Sequence, residues 1–118
     1  MNRDMDLIRE ILFKIEESGT TPQDVTKLVP DVPIETARYH IRLLVEAELV
    51  TAVDVSTMDG ENYLITGLTW AGHDFLDAAR SNERWEKAKS ILANKGGGMV
   101  FDVVKQLLVK LLSDQVLS

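Results

Sequence analysis

Apolar residues recur at steps of three and four from the start of the chain. Met5, Ile8, Leu12 and Ile15 set the period, Leu7 and Ile11 widen it, and Arg9, Glu10, Lys14, Glu16 and Glu17 fill the other side. A wide apolar stripe with a charged back predicts an amphipathic helix laid on a core, and Ser18-Gly19 ends it. Thr21 reads as a helix cap and Pro22 as a first helical position, where a missing N–H costs nothing. A short helix follows, with Val25, Leu28 and Val29 inward, and stops at Pro30. Pro30-Asp31-Val32-Pro33 is a turn, because proline restrains itself and the residue before it. The helical period resumes with Ile34, Ala37, Ile41, Leu44 and Val45 inward, while Glu35, Thr36, Arg38, Tyr39 and Arg42 point largely elsewhere.

The period then changes. Leu49-Val50-Thr51-Ala52-Val53-Asp54-Val55 is β-branched and partly alternating, Met58-Asp59-Gly60-Glu61 supplies an Asp-Gly turn, and Tyr63-Leu64-Ile65-Thr66 returns as a second strand. Three helices followed directly by a hairpin is the element order of a winged helix-turn-helix. The predicted class is therefore mainly α with a small β-hairpin (α+β), and this unit takes residues 1–80. Its last helix is capped by Thr69 and buries Leu68, Gly72, Phe75, Leu76 and Ala79, with Gly72 allowing a close approach. Residues 81–95 form a basic helical extension. The three glycines at 96–98 are a linker, since they favour neither helix nor strand. Residues 99–118 form a terminal amphipathic helix roughly 27 Å long at 1.5 Å per residue.

Composition adds exclusions. With 45% apolar and 27% charged residues, the 118-residue chain has enough apolar surface to offset the entropy of ordering one domain. The absence of cysteine removes disulfides, zinc-thiolate sites and thiol catalysis. The acidic amino terminus and the lack of a long uncharged apolar run make a soluble, cytoplasmic protein with no membrane partner the expectation.

Arg38-Tyr39-His40-Ile41-Arg42-Leu43-Leu44 followed by Leu49-Val50 looks like the third helix and first wing strand of many bacterial winged-helix regulators. Asn2 to Arg9, with Leu68 to Asp77 and Trp85-Glu86-Lys87, resembles an uncharacterised bacterial and phage family, domain of unknown function 2513. That resemblance covers nearly the whole chain. It implies a winged-helix-like fold and a frequent mobile-element setting, and it assigns no activity and no site residues.

Three groups of residues could carry function. Thr36, Arg38, Tyr39 and Arg42 occupy the helix that a winged helix inserts in the major groove of double-stranded DNA. Charge argues the other way. Arg38 and Arg42 face Glu35, Glu46 and Glu48, no basic residue occurs from Thr51 to Thr69, and the hairpin carries Asp54, Asp59 and Glu61. Residues 1–80 hold seven Lys/Arg and fifteen Asp/Glu, a balance of −8, and residues 81–118 hold six and four, or +2. An acidic wing beside phosphates is repelled, most strongly at low salt. A protein partner is the alternative, engaged through the acidic region or the last helix.

The second group is the terminal stripe of Phe101, Val104, Leu107, Leu108, Leu111 and Leu112, with Val100 at its start. Left in water it would be a large apolar patch, so self-association as a homo-oligomer, most simply a dimer, is expected ahead of packing on its own domain. The third group is the histidines. His40 and His73 have no metal-ligand spacing and read as structural, with an imidazole bonded to backbone. Trp70 and Trp85 read as core anchors or a binding surface. No phosphate loop, nucleophile–base pair or cofactor motif is present, so neither catalysis nor a cofactor is expected.

Overall fold

The computed structural model describes residues 2–19, 21–94 and 100–117. The glycine linker expected at 96–98 lies outside them. Two compact units divide the chain between His73 and Asp74, within one helix. The basic extension and the terminal helix therefore share a unit.

The amino-terminal unit runs α1 (Met5–Ser18), β1 (Gln23–Asp24), α2 (Val25–Leu28), α3 (Ile34–Glu46), β2 (Val50–Asp54) and β3 (Tyr63–Leu68), then enters α4 (Trp70–Ala79). α1 forms as expected. The Asp4 carboxylate caps it by accepting the N–H groups of Asp6 and Leu7, and Met5, Leu7, Ile8, Ile11, Leu12 and Ile15 are buried. Gly19 closes it at φ 66°, a left-handed conformation that glycine adopts without a Cβ clash.

The second helix starts later than Thr21 and Pro22 suggest. Gln23 and Asp24 are extended and pair with Ile65 and Leu64 of β3, so the sheet is three-stranded and antiparallel, in the order β1-β3-β2. Asp24 is the cap instead, accepting the Thr26 N–H at 2.9 Å. Pairing with a strand some forty positions away overrides the local Thr-Pro signal. α2 then buries Val25 and Leu28 as expected, and Val29 is buried just beyond it.

α3 also turns differently from the expected stripe. Its buried side is Ala37, His40, Ile41 and Leu44, whereas Ile34 is exposed and Val45 half-buried. His40 belongs to the core because both ring nitrogens have backbone partners. Nε2 accepts the Asp4 N–H at 2.8 Å, which leaves the ring proton on Nδ1, 2.8 Å from the Thr36 carbonyl oxygen. The expectation of a backbone-bonded histidine holds at this position.

β2 and β3 pair from Val50↔Leu68 to Asp54↔Tyr63, with a shift between Thr51 and Ala52 that leaves Thr66 as an extra residue on β3. Thr57 and Gly60 exchange backbone hydrogen bonds around Met58-Asp59, which closes the hairpin one residue before the expected Asp-Gly centre.

A close crossing joins the end of α3 to the start of α4. Glu48 is left-handed at φ 58°, the Thr69 N–H donates to the Leu49 carbonyl at 3.0 Å, and the Thr69 hydroxyl caps α4 by accepting the Gly72 N–H at 3.0 Å. Gly72 packs so close that an added Cβ would run into the Leu49 carbonyl oxygen. This is the approach expected of Gly72. Trp70, one residue into α4, is 84% exposed, so it is a surface residue and not a core anchor.

The carboxy-terminal unit comprises the rest of α4, α5 (Asn82–Asn94) and α6 (Phe101–Leu117). Its centre is aromatic. Phe75 meets Trp85 edge-on with centroids 6.4 Å apart and stacks on Phe101 at 5.0 Å. Leu76, Ala78, Ala79, Ala88, Leu92, Val104 and Leu108 are buried with them. Arg84 donates to the Asp77 and Ala78 carbonyls at the end of α4 and to Gln115 Oε1 on α6 at 2.7 Å. A cation there satisfies terminal carbonyls and suits the helix dipole.

Gly72→Ala is expected to lower stability by about 1–3 kcal/mol through steric overlap with backbone. Urea unfolding checks it, with the loss read in the midpoint.

Candidate functional site

α3 and the β2–β3 hairpin form one face, and three of the four residues assigned to DNA line it. Arg38, Tyr39 and Arg42 share a cleft of about 300 Å³ with Glu35, Asp59, Gly60 and Glu61. Thr36 is half-buried and is not on its wall. The spacing of 35, 38, 39 and 42 follows from the helical period once Ala37, Ile41 and Leu44 are buried.

Each cation on this face already has acidic company. Arg38 is half-buried, and its Nε is shielded from solvent without a hydrogen-bond partner. Its charge bears on Asp24 of β1. Arg42 is exposed, with Nε 3.4 Å from Glu46 and Nη1 3.9 Å from Glu61, and its guanidinium lies 5.8 Å from the centre of the Tyr39 ring. Tyr39 in turn meets His40 edge-on at 5.4 Å.

Asp24 is the residue sequence reasoning missed. The backbone N–H of Thr26 holds its carboxyl below the ordinary 3.8, against a smaller opposing effect of burial, with further help from the Thr26 hydroxyl, the Asn62 side chain and Arg38. One carboxylate thus caps α2 and joins β1, the hairpin and α3. Its sequence signal was a cap-competent residue directly before Val25, outcompeted by Thr21-Pro22. The hairpin is ordered in the same way. Ser56, through its hydroxyl and then its N–H, holds the Asp54 carboxyl low, and burial followed by Glu61 pushes the Tyr63 hydroxyl up.

The face presents two guanidinium groups and a tyrosine ring. Among the described residues no group of three His, Cys, Asp or Glu is placed to hold a metal ion. No helix among them is long and apolar enough to cross a membrane.

The residues assigned to self-association lie on α6 and divide. Val104 and Leu108 are sealed within the chain, Phe101 stacks on Phe75, and Leu107, Leu111 and Leu112 are half-buried. Val100, at the start of the expected stripe, is exposed, and so are Val103, Val109 and Val116 outside it. The positive balance of residues 81–118 is also partly spent inside the unit, because Arg84 is bonded as described and Lys89 lies 3.3 Å from Glu86.

Residues 2–98 match the family model described as Hypothetical protein (DUF2513). A Haemophilus influenzae protein described as "Uncharacterized protein" is 32% identical over 120 residues, covering 98% of this chain and 99% of the relative. No solved structure matches.

Asp24→Ala is expected to cost about 1 kcal/mol at neutral pH by loss of the cap. The folded carboxyl titrates below its ordinary 3.8, so its contribution is present above that value and is lost as pH falls through the lower folded value. Urea midpoints measured from pH 7 to about 2.5 should fall less steeply at the acid end in Asp24→Asn than in the native chain.

Proposed function

The chain belongs to the Hypothetical protein (DUF2513) family, and from that membership and the geometry of α3 we propose a winged-helix protein that acts by binding. The reading supported best is a small DNA-binding regulator of a mobile element, cytoplasmic and dimeric, with α3 toward the major groove and the β2–β3 hairpin as its wing. The observation that carries it is the element order α1-β1-α2-α3-β2-β3 with the strand order β1-β3-β2, which leaves Tyr39 and Arg42 on an outer face beside the hairpin.

A specific observation favours a second reading, a protein-interaction adaptor. Glu35, Asp59 and Glu61 line the cleft and Glu46 and Asp54 lie beside it, so the face suits a partner with basic side chains. Tight DNA binding commonly neutralises roughly 6–10 phosphates. Only two cations stand on α3, so DNA affinity should be modest and its fall with salt shallow.

Mobility shift with genomic DNA fragments at low salt separates the two readings. A shift that weakens at least about tenfold when Arg38→Ala and Arg42→Ala are combined supports the DNA reading, since base contacts contribute roughly 1–3 kcal/mol each. Unchanged affinity in that double variant rejects α3 as the reading element. No shift, together with a protein retained from host lysate by the full chain, supports the adaptor.

Self-association rests on the outward valines of α6, because Val104 and Leu108 are already covered. Light scattering of the full chain should give the mass of two copies, and Val103→Asp with Val109→Asp should return it to one. A native chain of monomer mass ends the dimer.

A further inference from the structure

Arg42 is the exposed cation of the face formed by α3 and the hairpin, and a carboxylate of the hairpin already reaches it. Its Nη1 lies 3.9 Å from Glu61 Oε2 while Glu46 takes Nε at 3.4 Å, so both sides of the guanidinium fork face acids. Tyr39 stands over the guanidinium, and Asp59 completes the acidic rim of the cleft. At 3.9 Å the Glu61 carboxylate is an ion-pair neighbour and not a hydrogen-bonded one, so it presents to arginine the negative charge that a DNA phosphate would bring closer.

We propose that Glu61 is an autoinhibitory stand-in for phosphate. The wing occupies the recognition arginine of its own α3, and DNA gains Arg42 only by displacing the hairpin carboxylate. This rests on the DNA reading and deepens it by naming what regulates the site. Three observations support it beyond the order of the elements. Glu61 and Arg42 come from different elements, so their pairing is tertiary and not a by-product of helical spacing. The side chains of both remain close to half exposed, at 45% for Arg42 and 46% for Glu61, so the contact is open to competition. No basic residue of the hairpin offsets Glu61, since Thr51 to Thr69 contains none.

The size of the effect is set by exposure. A solvent-exposed ion pair shifts an equilibrium by about fivefold or less, so Glu61 is a bias and not a lock. Phosphate competes more effectively because it accepts both arms of the fork and brings neighbouring charges with it. Salt weakens the mask and the DNA contact together, so the mask shows in the difference between variants at fixed ionic strength.

The test uses the full chain and a fluorescent 30-base-pair duplex, followed by anisotropy at about 50 mM and about 300 mM salt. Glu61→Gln keeps the size of the side chain and removes its charge. Glu10→Gln removes one charge from the exposed side of α1 and controls for net charge. Glu61→Gln should bind about three- to fivefold more tightly than the native chain at low salt, Glu10→Gln less than twofold, and the difference should shrink at high salt. Adding Arg42→Ala to Glu61→Gln should abolish the gain. Equal gains in Glu61→Gln and Glu10→Gln, or a gain that survives loss of Arg42, overturn the mask and leave the DNA reading standing. Absence of binding by the native chain and by Glu61→Gln alike removes both. Unfolding midpoints of the variants verify that each remains folded.

Discussion

A buried imidazole holds the amino-terminal unit in register. His40 accepts the backbone N–H of Asp4 on Nε2 and donates from Nδ1 to the Thr36 carbonyl, at 1% exposure. Asp4 meanwhile uses its carboxylate to cap α1. The start of one helix and the inner side of another are thus joined by groups that would cost about 1–3 kcal/mol each if buried without partners. Once Ala37, His40, Ile41 and Leu44 point inward, the 3.6-residue period sends Glu35, Tyr39, Arg42 and Glu46 to the other side. The outer face of α3 is a consequence of that burial.

Carboxylates do most of the joining elsewhere in this unit. Asp24 caps α2 and draws together Thr26, Asn62 and Arg38, while Glu46 and Glu61 flank Arg42. The acid surplus that looks like an obstacle to nucleic acid is in part structural, because several carboxylates accept backbone N–H groups that would otherwise lack partners. The same surplus leaves the cleft beside α3 mixed in charge, with its cations committed at the distances expected of weak, exchangeable pairs.

The carboxy-terminal unit follows a different logic. An aromatic centre of Phe75, Trp85 and Phe101 is closed by Val104 and Leu108, and Arg84 binds the last carbonyls of α4 while reaching Gln115 of α6. An apolar stripe broad enough to suggest a partner is here divided between an inward seam and two outward flanks. Val103 and Val109, nearly half exposed, are what the seam leaves over.

The helical periods of α1 and α4, the hairpin and the capping role of Thr69 were legible in the residues, because each rests on spacing within a few positions of itself. The family resemblance was legible too. What folding alone decided depends on pairs distant in sequence. Gln23 and Asp24 became strand because β3 offered backbone partners, His40 became core because Asp4 offered an N–H, and Arg42 met Glu61 because the hairpin folds back beside α3. Local pattern records which side of a helix is apolar. Which polar groups are sealed, which charges are paired and which part of a stripe stays in water are set by neighbours from elsewhere in the chain, since burial and Coulomb attraction act on separation in space.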